Sequence, residues 1–281
     1  MPKIDFAEKQ RIIAKLNLMN NKFMNKTFDG DIICAQLLLR IILDNDKIKV
    51  KQVAVQRLLQ NLYGHSAQLD ILAEDEAGRK FNVEVQRSDE GAPAKRARFY
   101  SSVLDTHFLE AGKEYKELDD VYVIFITEND VMNYGLPIYN IQRYIDENGK
   151  AFADGSHIIY VNSKIQDDTP LGRLMHDFYC ADPEKMYYKE LSDKVKAIKG
   201  NKEEENTMID LIEEYAEKRA KKAAKKAAKQ AAKKAAQQAT YKKSLDVALR
   251  CLRKGYTEED AAELADIPLE EVQKLAEKRS A

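Results

Sequence analysis

Residues 68–86 read QLDILAEDEAGRKFNVEVQ, and this stretch decides the fold. Residues 68–73 are apolar around a single acid, Asp70. Residues 74–79 are polar and contain Gly78, a residue free to take the positive φ that a tight turn needs. Residues 80–86 then alternate. Phe81, Val83 and Val85 fall on one face of an extended chain, and Asn82, Glu84 and Gln86 on the other. Two short strands around a glycine turn predict an antiparallel hairpin. Such a hairpin sets Asp70 beside Glu84 and Gln86.

Outward from the hairpin, the elements alternate in type. Ile32, Ile33, Leu37, Leu38, Ile41 and Ile42 recur at helical spacing after Asp29-Gly30-Asp31, a segment suited to capping a helix start. Val50, Val53 and Val55 suggest a short strand. After Pro93, residues 94–111 predict a helix, and Val121 to Ile126 is a nearly continuous apolar run, as in a strand covered on both faces. Asn148-Gly149 signals a turn before the strand-like residues 157–161. Thr169-Pro170 opens a further helix, and another is expected over about 187–198. Helix, hairpin, helix and buried strand in this order predict an α/β fold, a sheet flanked by helices.

Composition changes after Gly200-Asn201. Residues 203–217 are rich in Glu, and 221–238 are almost wholly Lys, Ala and Gln, all good helix formers. Acid first and base last also suits the helix dipole. The expected organisation is a domain over 1–200, a charged Lys/Ala-rich helix over 201–240 and a small helical tail over 241–281 with helix-turn-helix character. The Lys221, Lys225, Lys229 and Lys233 stripe suits a track along DNA, a solvated spacer or an oligomer stalk; a spacer or stalk is the stronger expectation, and a stalk would make the chain a homo-oligomer through this helix. Acidic residues in the tail, including Glu258, Glu259 and Asp260, suit protein contacts at least as well as DNA.

Composition also excludes some roles. The 46 Lys and Arg residues are balanced by 47 Asp and Glu, a formal net charge of −1, so nucleic acid would have to be bound by local basic clusters and not by bulk charge. There is no Gly-rich phosphate loop, which argues against an ATPase. Cys34, Cys180 and Cys251 lack metal-ligand spacing and read as buried thiols. No apolar run of membrane-spanning length and no signal-peptide core are seen, so a cytoplasmic protein without membrane contact is expected. The four histidines have no partner spacing.

Two carboxylates side by side on a hairpin are natural ligands for Mg²⁺, which prefers oxygen and keeps several waters. Such an ion lowers the pKa of a water and stabilises charge on a phosphate in flight. By spacing alone, the polar face of a hairpin explains Glu84 and Gln86 equally well. Lys95, Arg96, Arg98 and Tyr100 follow within one helix and suit phosphate contacts or, alternatively, a solvated helix face. His65 lies five residues before Asp70 in the sequence, without a partner that would give it a role.

Several stretches together resemble the PD-(D/E)XK family of transposase-like, recombination-promoting nucleases. They are Asn61 to His65, Leu69-Asp70-Ile71, Asn82 to Arg87, Lys95 to Tyr100, Tyr122 to Glu128 and His157 to Asn162, within about residues 20–195. The resemblance implies a restriction-endonuclease-like mixed sheet and metal-dependent hydrolysis of DNA, with Mg²⁺ or Mn²⁺ as cofactor. It implies Asp70 and Glu84 as metal ligands and places Gln86 where the wider superfamily has Lys. A neutral amide cannot supply that cation. Asp29 and Asp31 are candidates for an upstream acid, with capping the stronger expectation. The competing reading is a non-catalytic DNA-binding or oligomerising protein that keeps the nuclease fold.

Overall fold

The computed structural model describes residues 11–60, 64–87 and 92–201, and in the C-terminal part residues 224, 227–228, 230–232, 235 and 238–280. The chain divides into two compact units, Met1–Ile212 and Glu213–Ala281. The first unit is built on a six-stranded sheet. Its strands are β1 (Val50–Leu59), β2 (Ala67–Asp75), β3 (Lys80–Gln86), β4 (Val121–Thr127), β5 (Ile138–Ile141) and β6 (Ser156–Asn162), in the order β1-β2-β3-β4-β6-β5. β1, β2 and β3 form an antiparallel meander, β3, β4 and β6 run parallel, and β5 closes the edge antiparallel.

Helices α1 (Asn21–Phe28), α2 (Ile32–Ile42), α3 (Ala94–Phe108), α4 (Pro170–Tyr179) and α5 (Lys189–Gly200) flank the sheet. Asp31 is the N-cap of α2, its carboxylate accepting from the Cys34 N–H at 2.9 Å, as the Asp29-Gly30-Asp31 segment predicted. Thr169 likewise caps α4, with Pro170 in its first turn. On one sheet face Phe81, Val83, Val85, Ile124 and Ile126 pack with residues of α1, α2, α4 and α5. On the other, Val123, Phe125 and Tyr160 pack with Ala97, Tyr100 and Leu104 of α3. β4 is apolar throughout because it is covered on both sides. The expected α/β class and flanked mixed sheet are thus observed.

β1 and β2 each change face part-way. In a regular strand, residues of one parity stay on one face. Val53 and Val55 join the α2-side core, whereas Leu59, of the same parity, joins the α3-side core. Ile71 and Ala73 against Ala67 and Leu69 repeat the pattern in β2. The changeovers fall at Gln56 and Asp70. Gln56 has φ +52°, a left-handed conformation that costs a non-glycine residue roughly 1 kcal/mol or more. Val55 pairs with Ile71 and Arg57 with Leu69, so the offset is the same on both sides of Gln56, which falls opposite Asp70 at a gap in the pairing.

β1 is a full ten-residue strand, longer than the sequence suggests, and β5 has no counterpart among the expected elements. Of the cysteines, Cys34 is buried while Cys180 and Cys251 are half-buried, and all three are free thiols. In the second unit, α6 is described without a break over residues 238–253 and is followed by α7 (Glu258–Ala265) and α8 (Leu269–Ser280). Thr257 caps α7 by accepting from the Asp260 N–H. Ala248, Ala261, Ala262, Ala265 and Val272 form a small core with Leu252 and Leu275. The Lys221, Lys225, Lys229 and Lys233 stripe lies outside the described residues.

Candidate active site

The β2–β3 ladder pairs Glu74 with Lys80 through Ile71 with Val83 and then ends. Immediately beyond, side chains replace main-chain pairing. The Asp70 N–H donates to Glu84 Oε1 at 3.1 Å, and the Val85 N–H donates to Asp70 Oδ2 at 3.2 Å. Each carboxylate is thereby fixed by the backbone of the opposing strand through one oxygen. The other two oxygens are held by side chains. Gln56 Nε2 donates to Asp70 Oδ1 at 3.1 Å, while Gln86 Nε2 and Arg96 Nη2 donate to Glu84 Oε2 at 3.3 and 3.1 Å. Two strands that part at one point, with an acid on each, therefore bring Asp70 and Glu84 together in a rigid frame.

Arg96 ties the cluster to α3. Its Nη1 donates to Gln86 Oε1 at 2.8 Å, and its Nε and Nη2 donate to the Tyr100 hydroxyl at 3.1 and 2.8 Å. The guanidinium also lies over the rings of Tyr100 and Phe125, 5.1 and 5.8 Å from their centroids. Tyr100, Phe125 and Tyr160 stack in series beneath it. Register explains this floor: Glu84 pairs with Phe125 on β4, and Phe125 with Tyr160 on β6.

Asp70, Glu84 and Gln86 are all buried, Glu84 to 1% exposure. Burial, and then the charge of Asp70, push the Glu84 carboxyl up to about 8, against the opposing pull of the Asp70 N–H and Arg96. Burial works against the Arg96 charge, yet its bonds to Tyr100 and the charges of Glu84 and Asp70 hold it above its ordinary value. Arg96 alone does not suffice to keep both carboxylates ionised, and a second cation would let Glu84 give up its proton. Asn82, two residues before Glu84 on the same face, is fully buried, and its amide makes no hydrogen bond of normal geometry. A buried orphan amide calls for an ordered water. Among the described residues no three His, Cys, Asp or Glu side chains form a closed metal cage. An ion that keeps most of its waters needs only one or two carboxylates, so two adjacent carboxylates fit a hard divalent cation.

The model of the family described as PD-(D/E)XK nuclease family transposase matches residues 30–250. The chain belongs to this family. Compared with curated proteins and with solved structures, it finds no significant match. Membership in a nuclease family agrees with the order of the sheet, an antiparallel meander whose last strand starts a parallel set, and it makes a nuclease or transposase-like role the family expectation.

In this PD-(D/E)XK chain the residues expected in the site separate into two groups. Asp70, Glu84, Gln86, Arg96 and Tyr100 form one hydrogen-bonded cluster. Lys95 and Arg98 are exposed on α3. Arg96 faces the acids because it sits one turn before the buried Tyr100 on the core side of the helix; helical spacing puts the two on one face, and the packing of α3 turns that face to the acids. Gln56 escaped the sequence reading, since nothing in a polar edge strand marks one residue as left-handed. Asp31 is engaged by the α2 cap and by Lys194 at 3.2 Å. No helix of the described residues is long and apolar enough to cross a membrane.

Proposed function

We propose that this chain is a divalent-metal-dependent DNA endonuclease, hydrolysing phosphodiester bonds at the Asp70–Glu84 site. The observation that carries this reading is the pair of buried carboxylates, each fixed by the backbone of the opposing strand through one oxygen, with a guanidinium beside them. Asp70 and Glu84 would hold Mg²⁺ or Mn²⁺, which would supply Lewis acidity and a water of lowered pKa.

The rest of the chemistry falls to the chain's own groups. Gln86, bonded to both Glu84 and Arg96, holds these two in fixed relation and can orient a water through its amide. Arg96 offers the positive charge that Gln86 lacks. A planar guanidinium suits the equatorial oxygens of a phosphate gaining charge. Its aromatic floor and the Tyr100 hydroxyl keep it in place without neutralising it. Exposed Lys95 and Arg98, on the helix that carries Arg96, would bind flanking phosphates and set the position of the duplex.

Incubating the purified chain with supercoiled plasmid and Mg²⁺ or Mn²⁺ tests this reading. Nicking is expected, with loss in Asp70→Ala and Glu84→Ala. Plasmid that is bound but left uncut by the wild type would favour a non-catalytic DNA-binding protein. Equal nicking by the variants would move the site elsewhere.

A further inference from the structure

We propose that Gln56 is a positioning residue of the metal site, holding the outward oxygen of Asp70 ready for the ion. The proposal rests on the reading of Asp70 and Glu84 as the metal ligands. Gln56 stands directly opposite Asp70 in the β1–β2 register and donates from Nε2 to Asp70 Oδ1 at 3.1 Å. Its backbone is left-handed in the middle of a strand. The changeover of β1 from one core to the other accounts for a left-handed residue here, but not for a glutamine. Glycine adopts this conformation without steric cost, and Asn visits it more readily than Gln. What glutamine adds is an amide long enough to reach across to Asp70. Strain kept at one position beside an acid pair is the pattern of a residue serving a site.

The geometry also explains why an amide is used. The Asp70 Oδ2 oxygen is fixed by the Val85 N–H, so the direction of Oδ1 depends on a second contact. Gln56 supplies that contact from a neutral amide, which can stay bonded to one lone pair of Oδ1 while the other is left for a cation. A partner behind a ligating carboxylate typically changes metal affinity about 10–100-fold.

The test uses Gln56→Gly in the full chain, which relaxes the backbone and deletes the amide. Mn²⁺ affinity is measured by electron paramagnetic resonance titration without DNA, and Tm by calorimetry. The expected result is Mn²⁺ binding weakened about ten-fold with Tm unchanged or raised. Gln56→Asn, which tolerates the backbone but is one methylene too short, should weaken binding similarly. Affinity within two-fold of wild type in both variants overturns the proposal. A Gly variant that loses several degrees of Tm along with its Mn²⁺ would make Gln56 a fold residue and overturn it too. Asp70→Asn is run beside them. If it also binds Mn²⁺ as wild type does, the metal-site reading itself fails; if Asp70→Asn alone loses binding, only the role of Gln56 falls.

Discussion

Replacing Asp70 with Asn should abolish cutting and yet stabilise the metal-free protein in alkali. Asn keeps the local hydrogen bonds: its carbonyl can accept from the Val85 N–H, and its NH₂ can face Gln56 once that amide turns over. What disappears is the negative charge beside Glu84. Because burial and Asp70 raise the Glu84 carboxyl to about 8, the folded chain holds a proton there that the unfolded chain releases near 4.5. Folded protein then binds more protons than unfolded protein between those values, and stability falls as pH rises through that window. A like charge at close range accounts for about 1–3 pH units of such a shift. At about 1.4 kcal/mol per unit, relieving it is worth on the order of 2 kcal/mol above pH 8. For a unit of this size that is a gain of about 4–8 °C in Tm.

Thermal unfolding of wild type and Asp70→Asn, from pH 4.5 to 9, reads this directly. The curves should meet near pH 4.5 and separate toward pH 8.5, with the variant higher. Adding Mg²⁺ should raise the wild type and leave the variant unmoved. A variant less stable than wild type at pH 8.5 without metal, or one that Mg²⁺ stabilises equally, would refute the reasoning.

Further outcomes follow from the same geometry. Arg96→Gln should lower the single-turnover nicking rate by about 10²–10³-fold, the size seen when a donor to developing charge is removed; a loss below ten-fold would deny Arg96 a part in the reaction. Lys95→Ala and Arg98→Ala should each reduce the slope of DNA affinity against log salt by about one and leave the cleavage rate of bound DNA unchanged. An unchanged salt slope would make both residues bystanders. Asp31→Ala should cost about 1 kcal/mol of stability through loss of its cap, and Asp31→Ser should recover most of it with full nicking. Loss of nicking in the Ser variant would make Asp31 the missing third acid.

The hairpin was legible because alternation and a turn glycine act over a few residues: Phe81, Val83 and Val85 do share one core, and Gly78 does take positive φ, at +86°. β4 and the starts of α2 and α4 were legible for equally local reasons, a doubly covered strand and capping side chains. β1 was under-read because an edge strand exposes residues such as Lys51 and Gln52, which blurs its alternation. β5, four residues long, is a strand only by pairing with β6, which sequence does not display. The hairpin's spacing set Asp70 beside Glu84 and Gln86, and the family resemblance singled them out as a candidate site, whereas the convergence of Gln56 and Arg96 depends on a left-handed residue in β1 and on how α3 lies over the sheet. Those are tertiary facts. The polar face of β3 is buried, because Arg96 of α3 reaches down to it and the acids satisfy one another's strands.

The central claim is that Asp70 and Glu84 together hold a divalent ion. Anomalous diffraction from a crystal of the protein soaked in Mn²⁺ measures this most directly. The account predicts one strong peak within coordination distance of both carboxylates, absent from Glu84→Ala crystals treated alike. No peak at this pair under conditions where the protein nicks plasmid, or a peak that survives in Glu84→Ala, would contradict it.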